Sequence, residues 1–163
     1  MIYLDANVFL NATLNQEDEG EKARNLIQKL QKAMIAAATS ALSFDEVFWI
    51  VKKHRNFTSG LRAARALLEI PNLTFLEVND GTLWSAYNLA EKYKLDPRDA
   101  IHIACALDHA IFTIISEDEH FDKVKEIKRI SILNFNPNYK NHKQTQTGHK
   151  HQKPQPPARA LID

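Results

Sequence analysis

Four acidic residues of this 163-residue chain are the side chains best placed to do chemistry: Asp5, Glu46, Asp99 and Asp118. Asp5 ends a short apolar run, residues 2–4, that reads as a buried parallel strand, where a carboxylate loses water with no partner in view. Asp99 belongs to LDPRDAIHIACAL, residues 95–107. There Asp96 suits the N-cap, Pro97 the first helical position and Asp99 the third, facing free backbone N–H groups and the positive end of the helix dipole. Glu46 takes the same place in Ser43-Phe44-Asp45-Glu46, which fits a capping box. Asp118 follows a β-branched apolar stretch, residues 111–115, in Ser116-Glu117-Asp118.

Taken singly, each acid has an ordinary explanation as a cap or turn residue, and Asp96 is expected to be no more than a cap. Jointly they say more. In an open α/β sheet the carboxyl ends of the strands and the N-termini of the following helices border one crevice, and all four acids are on that edge. Four carboxylates held together repel one another unless a cation sits among them. Oxygen ligands select Mg²⁺ or Mn²⁺, and no Cys or His has the spacing of a zinc site. A carboxylate crevice of that kind does phosphoryl chemistry.

The elements that must position these acids alternate between strand and helix. Helical period is expected over residues 8–14, 21–33, 44–54, 58–69, 83–93 and from 96 onward. Strands are expected at 2–4, 34–38, 73–78, 111–115 and, at an edge, 129–134, with a short helical turn around Phe121 and Val124. This pattern predicts a three-layer α/β/α sandwich around a mainly parallel central sheet.

Length and 44% hydrophobic content suffice for one domain with a sizeable core. The expected boundary puts that domain at 1–135 and a basic, unstructured tail at 136–163, rich in Asn, Gln, His, Lys and Pro. The overall charge of +1 divides unevenly, the body being mildly acidic and the tail carrying five basic residues and one acid. An acidic body repels nucleic acid unless cations neutralise its carboxylates. His142, His149 and His151 belong to the tail's composition. The single cysteine, Cys105, is expected as a small buried thiol, which excludes an internal disulfide. With no membrane-length apolar run and a strand pattern from the start, a soluble, cytoplasmic protein is expected.

The segments IYLDANVFL, SALSFDEVFWIV, LDPRDAIHIACAL and TIISEDEHFD, in this order and spacing, resemble the PIN-domain ribonucleases over residues 1 to about 135. The resemblance implies the three-layer fold and a metal-dependent endonuclease acting on single-stranded RNA. It places the four family acids at Asp5, Glu46, Asp99 and Asp118, with Asn7 and Ser116 as polar residues supporting the ligands. It further implies Mg²⁺ or Mn²⁺ as cofactor, RNA as substrate, and the VapC-type toxins as relatives, with an antitoxin protein and a second copy of the chain as expected partners. His120 stands where many members have a further acid, with Asp122 two positions on, and Asp96 where others have a small polar cap. The tail matches nothing in the family pattern.

On this reading a bound water is activated by one or two ions, with Glu46 acting directly or through water, and cleavage leaves 5′-phosphate and 3′-hydroxyl ends. Lys52, Lys53, Arg55 and Arg98 are candidates to grip substrate phosphates, although for each an ordinary solvated charge is the simpler reading. An aspartyl-phosphate phosphatase, with Asp5 as nucleophile, would want an acid where Asn7 stands and a nearby lysine. A module that kept the fold as an RNA-binding or scaffold protein without cleavage is the remaining alternative.

Overall fold

The structure, a computed structural model, describes residues 1–136; all but the first residue of the predicted tail, including its three histidines, lies outside the described residues. Strands β1 (Ile2–Leu4), β2 (Ala37–Ser40), β3 (Leu73–Leu76), β4 (Thr113–Ile115) and β5 (Lys128–Ile130) form one sheet in the order β3-β2-β1-β4-β5. Every pairing is parallel. Helices α1 (Ala6–Leu14), α2 (Asp18–Gln31), α3 (Ala41–His54) and α4 (Phe57–Leu68) come from the first two crossovers, and α5 (Asp80–Tyr93) and α6 (Pro97–Asp108) from the third.

Strand alternation separates two cores. Tyr3, Ala38 and Ile114 point to the layer of α5 and α6, where Ala100, Ile103, Ala104 and Phe121 complete a buried cluster. Ile2, Leu4, Ala37 and Ile115 point the opposite way, against Val8, Phe9, Leu26, Val47 and Val51 of α1, α2 and α3. Such two-sided burial is why these strands are short, continuous and apolar. The α/β/α sandwich is therefore as the sequence predicts. Cys105 is fully buried, its thiol pushed by burial up to about 11. Among the described residues no helix is long and apolar enough to cross a membrane.

Several boundaries differ from expectation for local reasons. α3 starts at Ala41, not Phe44, with Ser40 at the N-cap position. Ser43 does not cap, because its hydroxyl is 2.6 Å from that of Thr39, which in turn donates to the Leu4 carbonyl at 2.8 Å. Glu46 accordingly lies in the second turn of α3. β2 is displaced to Ala37–Ser40, leaving Met34 exposed. The last strand is only Lys128–Ile130, because Ser131 caps a 3-10 turn at Ile132–Asn134 by accepting from the Leu133 N–H.

β1 is flanked on both sides and is where the strand order reverses, β2 lying on one side and β4 on the other. Open parallel sheets bind ligands at such a switch point, outside the carboxyl ends of the strands.

Candidate active site

Asp5 immediately follows β1 and is also the N-cap residue of α1. Its backbone N–H donates to the Ile115 carbonyl at 3.1 Å, continuing the pairing with β4. One carboxylate oxygen accepts from the Ala6 N–H at 2.6 Å; the other accepts from the Asn7 amide at 2.6 Å and the Ser116 hydroxyl at 2.7 Å. Ser116, just past β4, is fully buried and also accepts from the Asn7 amide at 2.8 Å and the Asp118 N–H at 3.0 Å. Asp5, 7% exposed, thus has both oxygens fixed by donors from two neighbouring strand ends. Burial pushes its carboxyl above the usual range, and the pull of His102 and the Ser116 hydroxyl does not fully restore it.

Two imidazoles tie the remaining acids in. His102, on α6 and 1% exposed, has Nε2 2.8 Å from Glu46 Oε1 and 3.5 Å from Asp5 Oδ1. On the solvent side His120 Nδ1 is 3.4 Å from Asp118 Oδ1 and 3.8 Å from Asp99 Oδ2. Asp99 is in the first turn of α6, as its motif predicts. Burial, then the charges of Asp118, Asp5 and Asp96, push its carboxyl from 3.8 to about 6, against the pull of His102. Asp118 caps a 3-10 turn, Glu119–Lys123, by accepting from the His120 N–H at 2.8 Å. Its ordinary structural role and its place beside Asp99 coexist.

Asp96 occupies the N-cap position of α6, but its side chain makes no cap hydrogen bond. Instead Asp96, Asp99 and His120 each offer a ligand atom, the three lying within 4.8 Å of one another. Asp96 is thus the cap the sequence predicts by position, without the side-chain hydrogen bond. Of the candidate phosphate-gripping residues, Arg98 is exposed, with its guanidinium 3.5 Å from Asp45. Lys52 and Lys53 are in the last turn of α3, where the Lys52 ammonium lies 4.4 Å over the Trp49 ring. Arg55 is the C-cap residue of the same helix.

His102 is the residue that sequence reasoning missed. Its signal was available: it is the one ring nitrogen donor in an otherwise apolar stretch and stands three residues after Asp99, hence on the same helix face. Burial opposes charging of the ring, but the hydrogen bond to Glu46 and the charges of Asp5, Glu46 and Asp99 outweigh it and raise its pKa.

A divalent cation fits this donor set. The four acids offer carboxylate oxygens, the ligand type hard cations require, and burial together with like-charged neighbours disfavours the charged form of Asp99. In addition Asn7 Oδ1 is buried with no hydrogen-bond partner, although the same amide's nitrogen donates to Asp5 and Ser116. An unpartnered acceptor beside a carboxylate is satisfied by an ion or by the ion's water.

The parallel sheet in this strand order, with acids at its carboxyl edge, defines a PIN-like α/β/α domain. The PIN-domain family model matches residues 2–127, and the chain belongs to that family. Solved structures agree on the fold. VapBC2 from Rickettsia felis, bound to a DNA fragment from its promoter, superposes with a TM-score of 0.64 at 15% identity, covering 80% of this chain and 98% of that one. Mycobacterium tuberculosis VapC20, described as a sarcin-ricin loop cleaving toxin, gives 0.62 at 13% identity, over 77% of this chain and 95% of the other. FitAcB from Neisseria gonorrhoeae gives 0.58 at 18% identity, over 84% and 98%. A comparison with curated protein sequences finds no match.

Proposed function

We propose that this protein is a Mg²⁺- or Mn²⁺-dependent endoribonuclease that hydrolyses phosphodiester bonds of single-stranded RNA, as the cytoplasmic toxin of a toxin–antitoxin pair. The observation that carries the reading is the cluster itself: Asp5, Glu46, Asp99 and Asp118 come from four separate segments and share two imidazole partners at the carboxyl edge of β1 and β4. Membership of the PIN family and the resemblance to toxin structures, one of them a sarcin-ricin loop cleaving toxin, support it. The complexes of toxin with antitoxin among the similar structures support a protein partner of that kind. A second copy of the chain is retained as an expected partner.

In this mechanism Asp5, Asp99 and Asp118 would hold the cation, with Glu46 beside Asp5 and with Asn7 and Ser116 orienting the Asp5 carboxylate. When bound, the ion lowers the pKa of a water and places positive charge opposite the phosphate oxygens. The chain does the rest. The three donors on Asp5 keep its oxygens aimed at the crevice without reorganisation. Burial and like-charged neighbours push the Asp99 carboxyl up to about 6, and a cation among the acids would draw it back down. Arg98, exposed and neighbouring Asp99 in sequence, is the candidate to meet an RNA phosphate. Hydrolysis in this sense leaves 5′-phosphate and 3′-hydroxyl ends.

The test is cleavage of end-labelled single-stranded and hairpin RNAs by the purified protein with Mg²⁺, with Mn²⁺ and with chelator. Metal-dependent cleavage that is lost in Asp5→Asn is the expected result. A folded protein that binds RNA and cuts none of it with either metal would overturn the reading in favour of a non-catalytic RNA-binding or scaffold module.

A further inference from the structure

His102 bridges two layers of the sandwich. It belongs to α6, yet its Nε2 reaches past the end of β1 to Glu46 of α3 at 2.8 Å, with Asp5 at 3.5 Å from the same nitrogen. Its other nitrogen, Nδ1, is 2.8 Å from the Tyr3 hydroxyl. The two rings also meet edge to face, with centroids 5.7 Å apart and planes at 70°. Tyr3 is fully buried in the central strand, and burial raises its pKa well above 10.0, so the phenol keeps its proton.

The chemistry of the partners constrains the hydrogen positions at the ring. An ionised carboxylate only accepts, so Nε2 carries a hydrogen toward Glu46 whether the ring is neutral or charged. The Tyr3 hydroxyl donates to Nδ1 of a neutral ring and accepts from that of a charged one, so the ring is pinned from the strand side in both cases. Glu46 is different. It has three side-chain torsions, and it stands beside another carboxylate that repels it. The short hydrogen bond to His102 is what holds it at Asp5.

We propose that His102 is a positioning residue: through Nε2–H it stations Glu46 against Asp5, so that an arriving cation meets an assembled pair of carboxylates. The proposal rests on the nuclease reading above and adds a residue to it. Groups that orient a ligand are worth about ten- to hundredfold in metal affinity when removed.

The experiment compares wild type with His102→Leu, His102→Gln, Glu46→Gln and the His102→Leu/Glu46→Gln double variant. Mn²⁺ binding is titrated by the EPR signal of the free ion, thermal melting is followed without metal, and RNA cleavage is measured at saturating Mn²⁺. His102→Leu is expected to fold and to bind Mn²⁺ about ten- to hundredfold more weakly, with slower cleavage. His102→Gln, which returns an N–H donor, should recover part of that affinity. Because His102 acts through Glu46, the double variant should be within about threefold of Glu46→Gln alone in both affinity and rate. Wild-type Mn²⁺ affinity in His102→Leu, or losses that multiply in the double variant, would overturn the proposal. Should His102→Leu not fold, Tyr3→Phe decides: it keeps the core filled but unpins the ring, so unchanged Mn²⁺ affinity there refutes the bridge. A wild type that neither binds Mn²⁺ nor cleaves RNA counts against the nuclease reading, whereas an active wild type indifferent to His102 counts against this proposal alone.

Discussion

The acidic cluster has two halves built on one plan and set in different surroundings. In each, an imidazole lies between two carboxylates. The inner half pairs Asp5 and Glu46 through His102, whose side chain is 2% exposed; the outer half pairs Asp99 and Asp118 through His120, whose side chain is 55% exposed. His102 is pinned by Tyr3 and Glu46 at 2.8 Å each, while His120 approaches its carboxylates no closer than 3.4 Å. The same chemistry therefore serves two ends. Buried, it fixes a frame; exposed, it leaves a mouth whose groups can rearrange around substrate.

The largest expected effect tests whether the outer half is functional. Asp99→Asn keeps shape and one acceptor oxygen but removes a charge. RNA cleavage should fall on the order of a hundredfold or more, while the metal-free protein is unchanged or slightly stabilised because like-charge repulsion is relieved. Mn²⁺ should raise the melting temperature of wild type much more than that of the variant. A variant that melts lower with and without metal yet retains cleavage would show Asp99 to be only a helix-capping residue.

Next comes the frame. Ser116→Ala removes one donor to Asp5 and the acceptor used by Asn7 and the Asp118 N–H, all of them buried or half-buried. Urea denaturation should show a loss of about 2 kcal/mol. A change below about 0.5 kcal/mol would mean that water replaces the hydroxyl and that the inner half is not rigid.

The pH dependence of the metal-free protein has a definite sign. The Asp5 and Asp99 carboxyls are raised in the folded state, so each costs stability once pH passes its folded value and nothing below its unfolded one. His102 is raised from 6.5, so its contribution is complete below that value and is lost as pH rises through the folded one. All three favour acid, and the metal-free protein should be more stable at pH 5 than at pH 8 where these groups dominate. The Asp99 displacement from 3.8 to about 6 contributes on the order of 1 kcal/mol once solvent screening is allowed for. In Mn²⁺ the trend should flatten or invert, because protons then compete with the ion. Melting curves in paired buffers, read against Asp99→Asn, check both halves of the statement.

Smallest of all is the expected effect of His120→Ala on metal-free stability, within about 0.5 kcal/mol, since an exposed imidazole at 3.4 Å from a carboxylate contributes little. A loss of several times that would erase the contrast between the two halves.

What the sequence could disclose follows the same division. Asp5 and Asp99 were legible because their positions depend on local rules: an apolar strand ending, and a Pro at the first position of a helix. For Glu46 the local rules point to a helix start three residues later than Ala41, where α3 begins. Ser43 looks like a cap until the structure shows its hydroxyl paired with Thr39, a contact along the carboxyl end of β2 that no local rule contains. His102 is hidden in the sequence because the residues around it are apolar, and its three partners are contributed by β1, α1's cap and α3, which only the tertiary fold brings together. The order of the strands, with β1 between β2 and β4, was not written in any single segment either.

The hydrogen bond from Ser116 to Asp5 spans 111 residues. On a ribosome adding about 5–20 residues per second, Asp5 emerges roughly 5–20 s before the hydroxyl that will orient it. In that interval β1 has β2 available as a neighbour but lacks β4, and the pair of acids nearest the solvent does not yet exist. Contacts so distant in sequence also form late in refolding. No N-terminal piece that ends before Asp118 contains all four acids, so they are gathered only when the domain is nearly complete.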